Sequence, residues 1–370
     1  MFGGVYQDRT VWLSGHTGFK GSWLAEWLLA LGARVHGFAL PPATDPALFD
    51  QLGLGARVHH EIGDVRDAAA VRRSIHEAQP DFVFHLAAQP LVRLSYEQPL
   101  ETYATNVMGT ANVLDALRSL QKPCAAVFVT TDKCYENREW VHGYREEDAL
   151  GGHDPYSSSK AAAEIVIAAY RRSFFQNHPV RIASARAGNV IGGGDWARDR
   201  ILPDCMRALA AGQGIRVRNP AATRPWQHVL EPLSGYLWLA ACLGEPRLHR
   251  PGAELLCSAF NFGPGNSSNR SVQQLVTELL RHWPGHWEQQ SDPNAAHEAR
   301  RLHLSTDKAH SLLGWFPVWD FTETIARTVA WYYATRASGQ PEEARAMTQQ
   351  QITHYSQAAK SQGLSWAVPL

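Results

Sequence analysis

The sequence contains few lysines and no excess of charge of either sign. Thirty-five basic residues balance thirty-five acidic ones over 370 residues, which gives a formal net charge of zero. This balance excludes a general electrostatic attraction to nucleic acid or to an anionic membrane surface. Because only six of the basic residues are lysines, any phosphate binding must be local and the position of each lysine is informative.

Cysteine and long apolar runs are also scarce. The five cysteines form no CxxC pair, which excludes a disulfide framework and a zinc site and favours a reducing compartment. No basic-then-apolar segment begins the chain, and no apolar run reaches the roughly 18 residues that cross a bilayer. The 17 histidines show no metal-ligand spacing. We therefore expect a cytoplasmic protein without a bound metal, with neither nucleic acid nor a membrane as partner.

The order of apolar segments predicts an α/β fold. With 45% apolar residues, the chain can bury a sizeable core, and its length predicts two lobes. Six short β-rich runs alternate with helical segments in the first half, which predicts a doubly wound parallel sheet, the Rossmann architecture. These runs are Thr10–Ser14, Arg34–Leu40, Val58–Ile62, Asp81–Leu86, Ala125–Thr130 and Val180–Arg186.

Beyond Gly188 this alternation ends in a stretch rich in glycine, proline and arginine. We predict a dinucleotide-binding Rossmann domain over residues 1–187, to which segments around 228–260 and 320–335 return. A smaller α/β substrate-binding lobe over 188–336 and a C-terminal tail over 337–370 complete the predicted organisation.

A helix predicted over Tyr156–Phe175 has apolar or small residues around most of its circumference. Such a helix is buried on two faces. One face packs on the sheet, and the other packs either on a second copy of the chain, in a homodimer, or inside a large monomer. Both interpretations stay open at this point.

A glycine-rich turn follows the first predicted strand. The segment Gly15-His16-Thr17-Gly18-Phe19-Lys20-Gly21 lies between that strand and a predicted helix, where backbone N–H groups bind a pyrophosphate. Small residues after the third and fourth strands fit a dinucleotide lying along the strand ends. The second strand ends with neither the acid that would indicate NAD nor the arginine that would indicate NADP, so this turn does not settle the choice between the two cofactors. The residues predicted to contact the cofactor are Gly15, His16, Thr17, Gly18, Phe19, Gly21, Asp64, Val65, Leu86, Ala87, Ala88, Gln89 and Thr130, together with Tyr156 and Lys160.

A second motif predicts proton transfer beside this turn. Tyr156 and Lys160 lie at i and i+4 on one helix face. A phenol with a pKa of about 10 needs roughly 4 kcal/mol to ionise at neutral pH, which a nearby ammonium and an oxidised nicotinamide can supply. Thr131, Asp132 and Lys133 follow the fifth strand and add a hydroxyl, an acid and a potential base. The alternative for the last two is a helix-capping carboxylate and a solvated lysine.

These motifs together resemble the extended short-chain dehydrogenase/reductases, over about residues 8–335. The glycine turn and the YxxxK pair are shared by the whole superfamily. The sequence is similar to the nucleotide-sugar 4,6-dehydratases in Leu91–Tyr96, Thr131–Tyr135, Ala185–Trp196 and Arg224–Pro232. The Asp-Lys pair, where related dehydratases carry Asp-Glu, and the loop Gly192–Trp196 point to the CDP-sugar branch.

The resemblance implies a dehydration with no net redox change and with NAD as cofactor. Tyr156, helped by Thr131, takes the proton of the sugar 4-hydroxyl as hydride leaves C4. Lys133 then removes the C5 proton while Asp132 protonates the departing 6-hydroxyl, and hydride returns to C6. The implied product of CDP-glucose is CDP-4-keto-6-deoxy-glucose. Lysine is a base only when neutral, so this assignment requires a protonated Asp132 at that step.

The resemblance also implies a set of substrate contacts. Arg224 is the strongest candidate for a phosphate ligand because a guanidinium suits a diphosphate; Arg186 is alternatively a buried structural residue, and the other arginines of this stretch, including Arg200, favour a solvated role. The predicted set is Arg93, Asn106, Arg186, Asn189, Asp195, Trp196, Arg224 and His297. A 4-epimerase, a dehydratase for another nucleotide sugar and a non-catalytic cofactor-binding scaffold stay open as alternatives.

Overall fold

A seven-stranded parallel sheet forms the centre of the molecule. The computed structural model describes residues 1–198, 200–248, 253–290, 302–336 and 341–368. The strand order in the central sheet is β3-β2-β1-β4-β5-β6-β11. The strands are β1 Thr10–Ser14, β2 Arg34–Ala39, β3 His59–Ile62, β4 Phe82–His85, β5 Cys124–Val129, β6 Val180–Ala187, β7 Val190–Ile191, β8 Ile215–Val217, β9 Thr223–Pro225, β10 Gln227–His228, β11 Ala259–Phe262, β12 Asn269–Ser271 and β13 Trp287–Gln289. The six strands predicted in the first half are confirmed, each within one residue of its predicted bounds.

Helices cover both faces of this sheet, as the predicted doubly wound fold requires. The helices are α1 Phe19–Ala30, α2 Leu48–Gln51, α3 Ala68–Ala78, α4 Val92–Glu97, α5 Pro99–Tyr103, α6 Gly109–Leu117, α7 Pro155–Phe174, α8 Ile201–Ala210, α9 Leu230–Gly244, α10 Val272–His282, α11 Asp307–Leu313, α12 Phe321–Thr335 and α13 Pro341–Ser361. Helices α1 and α9 lie on one face, and α3, α6 and α7 on the other.

Strand β5 is apolar or small along its whole length because both of its faces are covered. In β5, Ala125 and Val127 enter the core beneath α1 and α9. The alternating residues Ala126 and Phe128 enter the core beneath α6 and α7. Successive side chains of a strand point to opposite faces of the sheet. The continuous apolar run that indicated this strand in the sequence is therefore a consequence of two-sided burial.

Three two-stranded pairs lie outside the central sheet. Strand β7 pairs with β10 and β8 with β13, both in parallel, whereas β9 pairs antiparallel with β12. Two later elements belong with the sheet: β11 pairs in parallel with β6, and α9 packs on β5 and β6. The residues past β6 thus supply both part of the central layer and the separate strand pairs at its carboxyl edge.

The C-terminal tail contains helix α13, which packs against α1, α2 and α12. Gln349 of α13 donates to the buried carboxylate of Glu26 at 2.7 Å. Beyond the helix, the ring of Trp366 stacks on Phe2 with centroids 5.0 Å apart. Both ends of the described chain therefore meet behind α1. Among the described residues, no helix has the length and apolarity needed to cross a membrane.

Candidate active site

The glycine turn packs too closely for side chains at two of its positions. Gly15 has a φ of +76°, and a Cβ on it would lie 2.7 Å from the backbone nitrogen of Ala87. A Cβ on Gly21 would clash with the carbonyl oxygen of Gly15. Helix α1 then begins after Gly18 without a side-chain cap on its N-terminus. An uncapped helix N-terminus after a tight glycine turn fits a pyrophosphate, so the residues present are suited to a dinucleotide.

Two of the three polar side chains of this turn, those of His16 and Thr17, are bound by the protein itself. His16 is buried, its Nε2 lies 2.7 Å from Nδ1 of His60, and burial lowers its pKa to about 3. Thr17 donates its hydroxyl to the carbonyl oxygen of Leu40 at 2.9 Å. His16 is thus neutral, and both side chains order the turn. Their predicted contacts with a cofactor, like that of the half-buried Phe19, stay predictions.

The residues predicted to border the dinucleotide lie at the ends of β3 and β4. The Asp64 carboxylate accepts hydrogen bonds from the Arg66 side chain, and these lower its pKa. Val65 is buried. The backbone N–H groups of Leu86 and Ala87 donate to the Ser14 hydroxyl at 3.1 and 3.2 Å. The strand end that faces the glycine turn is therefore held in place by β1.

Asn106 holds the next part of this edge together. Its side-chain oxygen accepts from the backbone N–H of Gln89 at 2.8 Å, and its amide donates to the Gln89 carbonyl and to the Ser159 hydroxyl. Ala88, half-buried, lies within the same loop. The structure thus places the Asn106 amide between the β4 loop and helix α7. Its predicted contact with substrate stays a prediction.

The structure brings the five predicted catalytic residues to one edge of the sheet. Thr131, Asp132 and Lys133 follow the end of β5, while Tyr156 and Lys160 lie on the first two turns of α7. Asp154 caps this helix by accepting from the Ser157 N–H, and Ser95 accepts from the Tyr156 N–H. The Lys133 ammonium lies 6.0 Å from the Tyr156 ring centroid. The Asp-Lys pair is therefore beside the tyrosine, as the sequence predicted.

Burial sets the electrostatics of the Tyr156 and Lys160 pair. Burial raises the pKa of Tyr156 to about 12, although its hydrogen bond with Thr131 favours the phenolate. Burial lowers the pKa of Lys160 to about 8, against the favourable charge of Glu164. The Lys160 ammonium donates to the carbonyl oxygen of Val129 at 3.3 Å. Ionisation of Tyr156 therefore depends on positive charge that reaches this pocket.

Asp132 is held in conditions that suit a proton donor. It is 4% exposed, and the Thr131 hydroxyl donates to its Oδ1 at 3.1 Å. Burial raises the pKa of this carboxyl, partly opposed by the charge of Lys133. A Cβ on Gly188 would lie 2.7 Å from Asp132 Oδ2, so the chain needs glycine there. The predicted acid requires a carboxyl that stays protonated to a higher pH than usual, which a raised pKa provides.

The predicted substrate residues divide between this edge and the protein interior. Arg224 lies on β9 and acts electrostatically on Asp132. Asn189 is half-buried at the turn between β6 and β7, and Arg93 is exposed on α4. His297 lies outside the described residues. Arg224 and Asn189 thus lie where ligands bind in such sheets.

Arg186 takes the structural role that the sequence left open. It is 4% exposed, donates to Glu164 Oε2 at 2.9 Å and donates to the Tyr135 hydroxyl at 2.7 Å. Thr130, predicted to contact the cofactor, donates to the other oxygen of Glu164 at 2.5 Å. Both side chains are engaged beneath the sheet edge.

The loop after β7 is fixed by contacts with other elements. Asp195 is buried and pairs at 2.8 Å with Arg200, whose side chain remains 35% exposed. Trp196 donates to Gln51 at 2.8 Å and packs edge-on against Tyr332. The loop therefore presents Arg200 toward the pocket, where its charge acts on Tyr156.

Two residues of the pocket were missed in the sequence. Lys20 lies 5.7 Å from the ring centroid of Tyr236, and burial together with the charges of Arg200 and Lys160 lowers its pKa to about 7. The Tyr236 hydroxyl is buried without a partner among the described residues. A signal for Lys20 existed, because one of only six lysines stands inside the glycine turn. Tyr236 lies in an apolar helix, and no pattern marked it.

The fold and the site together define an extended short-chain dehydrogenase/reductase with an added acid and lysine beside its tyrosine. The sequence model of the family described as GDP-mannose 4,6 dehydratase matches residues 13–328. The chain is 49% identical over 336 residues to the CDP-glucose 4,6-dehydratase of Salmonella typhimurium, covering 89% of this chain and 92% of that protein. It is 33% identical over 294 residues to the dTDP-glucose 4,6-dehydratase of Streptomyces antibioticus, covering 75% and 77%.

Solved structures show the same architecture. The dTDP-glucose 4,6-dehydratase DesIV from Streptomyces venezuelae, solved with NAD and TYD bound, superposes with a TM-score of 0.72 at 24% identity, covering 88% of this chain and 98% of that one. The UDP-glucose 4-epimerase of Thermotoga maritima gives 0.72 at 20% identity, covering 88% and 98%. The chain belongs to the family described as GDP-mannose 4,6 dehydratase, and the resemblance that its motifs indicated is confirmed.

Proposed function

We propose that this chain catalyses the NAD-dependent dehydration of CDP-D-glucose to CDP-4-keto-6-deoxy-D-glucose. The observation that carries the proposal is the placement of Asp132 and Lys133 beside Tyr156 at one sheet edge. A reductase or a 4-epimerase needs the tyrosine and its lysine but not this second acid and base. The 49% identity to a CDP-glucose 4,6-dehydratase supports the choice of nucleotide.

The cofactor is held by the glycine turn in this proposal. Gly15, Gly18 and Gly21 leave the groove for the pyrophosphate, while Asp64 and Leu86–Gln89 border the dinucleotide along the strand ends. When bound, NAD accepts a hydride from C4 of the sugar and later supplies one to C6. The nicotinamide also brings positive charge to a pocket in which the Tyr156 phenol is hard to ionise.

Tyr156 begins the reaction as the base for the sugar 4-hydroxyl. The Thr131 hydroxyl, which donates to Asp132 in the structure, turns to the phenolate oxygen and stabilises it in this step, and the Lys160 ammonium supplies nearby charge. From a pKa of about 12 the phenol needs roughly 7 kcal/mol to ionise at pH 7. Tyr156 therefore acts only in the complete complex, where the site's positive charges are all present.

Asp132 and Lys133 then expel water across C5 and C6. The 4-ketone acidifies the C5 proton, which Lys133 removes, while Asp132 transfers its proton to the 6-hydroxyl and the C–O bond breaks. A hydride at C6 and a proton at C5 complete the product, so the balance is loss of one water. The raised pKa of Asp132 keeps the proton available for this step.

We also propose that the enzyme is a cytoplasmic homodimer joined through α4, α5 and α7. The outer face of α7 is not buried inside the chain, since Ile165 is 58% exposed. Other exposed large apolar side chains lie on α7 itself and on the segments that contact it: Phe174, Tyr96, Leu100, Tyr103 and Met108. Large apolar side chains exposed on adjoining elements favour a protein–protein interface. A reducing compartment is supported by the five cysteines, all of them free.

One incubation tests the reaction. The protein is mixed with CDP-glucose and NAD, and the products are followed by NMR beside dTDP-glucose, UDP-glucose and GDP-mannose as separate substrates. A 6-methyl signal with a 4-keto carbon from CDP-glucose confirms the proposal. An epimerised hexose indicates a 4-epimerase. Faster dehydration of one of the other three substrates indicates a dehydratase for that nucleotide sugar. No turnover of any of the four indicates a non-catalytic scaffold. Tyr156→Phe is the inactive control.

A further inference from the structure

A buried carboxylate lies one helical turn beyond Lys160. Glu164 is 3% exposed on α7, at i+4 from the lysine. It accepts hydrogen bonds from Thr130 at 2.5 Å, Ser184 at 2.8 Å and Arg186 at 2.9 Å. The carboxylate thus joins α7 to the ends of β5 and β6 directly beneath the site. None of the reaction steps above uses it.

Lys160 lacks a direct counter-ion in this pocket. Within the described part of the chain it forms no ion pair, and its ammonium donates only to the Val129 carbonyl oxygen. Two groups act on the charge of Lys160, Glu164 on its own helix and Cys134 after β5, while Lys160 itself acts on Lys20 at the start of α1 and on His85 of β4. Of these, Glu164 is the one carboxylate.

Glu164 is shared between two cations. Arg186 of β6 binds it directly, and Arg171 of α7 also acts on it electrostatically. Cys134 also interacts with Glu164, and burial raises the pKa of its thiol. The surroundings of Lys160 thus carry a surplus of positive charge, which only Glu164 opposes among the described groups that act on it.

We propose that Glu164 is a positioning residue that keeps Lys160 in its ammonium form and fixes the strand end that carries Thr131. The inference rests on the proposed reaction, in which Lys160 must be charged to stabilise the Tyr156 phenolate. Thr130, which Glu164 binds, is the residue directly before Thr131. One carboxylate therefore sets both the charge and the position of the groups that activate the tyrosine.

The test measures the titration of Lys160 in three variants. The protein is labelled with [ε-¹³C]lysine, whose six signals are simple to separate, and the signal missing from Lys160→Met identifies Lys160. Glu164→Gln should lower the pKa of Lys160 by about one unit or more, since a nearby opposite charge shifts a pKa by that amount. Arg186→Met leaves the Glu164 carboxylate without its main partner and should raise the pKa of Lys160. Ser184→Ala removes one hydrogen bond to Glu164 but no charge and should leave the pKa of Lys160 unchanged.

The alkaline limb of the CDP-glucose rate profile should move in the same directions. If Glu164 has only a structural role, Glu164→Gln and Arg186→Met should both lower the melting temperature without shifting the pKa of Lys160 in opposite directions. That result overturns the proposal. An unshifted Lys160 signal in Arg186→Met overturns it even if Glu164→Gln fails to fold, as does an equal shift in Ser184→Ala. The NMR titration needs no turnover, so its outcome is separate from a failure of the proposed reaction, which the wild-type incubation reveals.

Discussion

Replacing Asp132 by asparagine should separate oxidation of the sugar from loss of water. Asparagine has the same shape, and its side-chain oxygen can still accept the Thr131 hydroxyl that donates to Asp132 at 3.1 Å. The variant loses only the proton that leaves with the 6-hydroxyl. A general acid contributes about 10²- to 10⁴-fold, or about 3 to 5 kcal/mol of barrier. We therefore expect the dehydration rate to fall by that factor with little change in substrate KM.

A substrate with a better leaving group provides the assay. In CDP-6-deoxy-6-fluoro-glucose, fluoride leaves from C6 without needing a full proton transfer, so Asp132→Asn should convert it at a rate within about tenfold of wild type. Reduced cofactor formed in a single turnover should appear normally with CDP-glucose. If the variant is equally impaired on both substrates, Asp132 acts on an earlier step and the assignment is wrong.

The same substitution has a consequence for stability. Burial raises the folded-state pKa of Asp132, so its contribution to stability is present below its ordinary pKa and is lost as pH rises through the raised value. Wherever the carboxyl is ionised in the folded state, it therefore destabilises the fold. Asp132→Asn should raise the melting temperature at pH 8 relative to wild type and have less effect near pH 4. An equal effect at both pH values would contradict the raised pKa.

Three further predictions concern lysines and the glycine turn. Lys133→Ala should abolish dehydration and solvent exchange of the C5 proton while hydride transfer from C4 persists in single turnover; unimpaired dehydration excludes Lys133 as the base. Gly15→Ala should abolish NAD binding, measured by calorimetry, because its Cβ would lie 2.7 Å from the Ala87 backbone. The control is Gly4→Ala, which also has a positive φ, of +71°, but has open space around its Cβ and should bind NAD normally. Lys20→Met should raise the free energy of unfolding by about 2 kcal/mol below about pH 7. This gain is smaller than the full pKa shift of Lys20 implies because the side chain keeps some solvent contact. The gain should fade toward pH 10, where the lysine of the unfolded chain loses its proton.

The strands and the catalytic edge could be predicted because their signals are local. Two-sided burial of β5 makes every residue from Cys124 to Val129 apolar or small, and the YxxxK spacing places Tyr156 and Lys160 on one face of α7 whatever surrounds the helix. The carboxyl ends of parallel strands share one edge, so the groups after β1, β4 and β5 had to meet.

The rest of the site depends on contacts between distant segments. Arg186 and Glu164 are 22 positions apart in the chain, and only folding shows that they pair rather than face a substrate. The pairing of Arg200 with Asp195 could not be predicted because the burial of the Asp195 loop by α12 has no local signal. Lys20 was visible in the turn, but its position over the ring of Tyr236 joins two segments that are distant in the sequence.

The meeting of both chain ends behind α1 links the extremities of the polypeptide to the nucleotide groove. The backbone N–H of Phe2 donates to the carbonyl oxygen of Trp366 at 2.5 Å, and both rings pack on Trp27 of α1. The helix whose first turn is proposed to hold the pyrophosphate is thus supported on its far side by residues from both ends of the described chain. Loosening either segment would therefore weaken the support of the helix that carries the glycine turn.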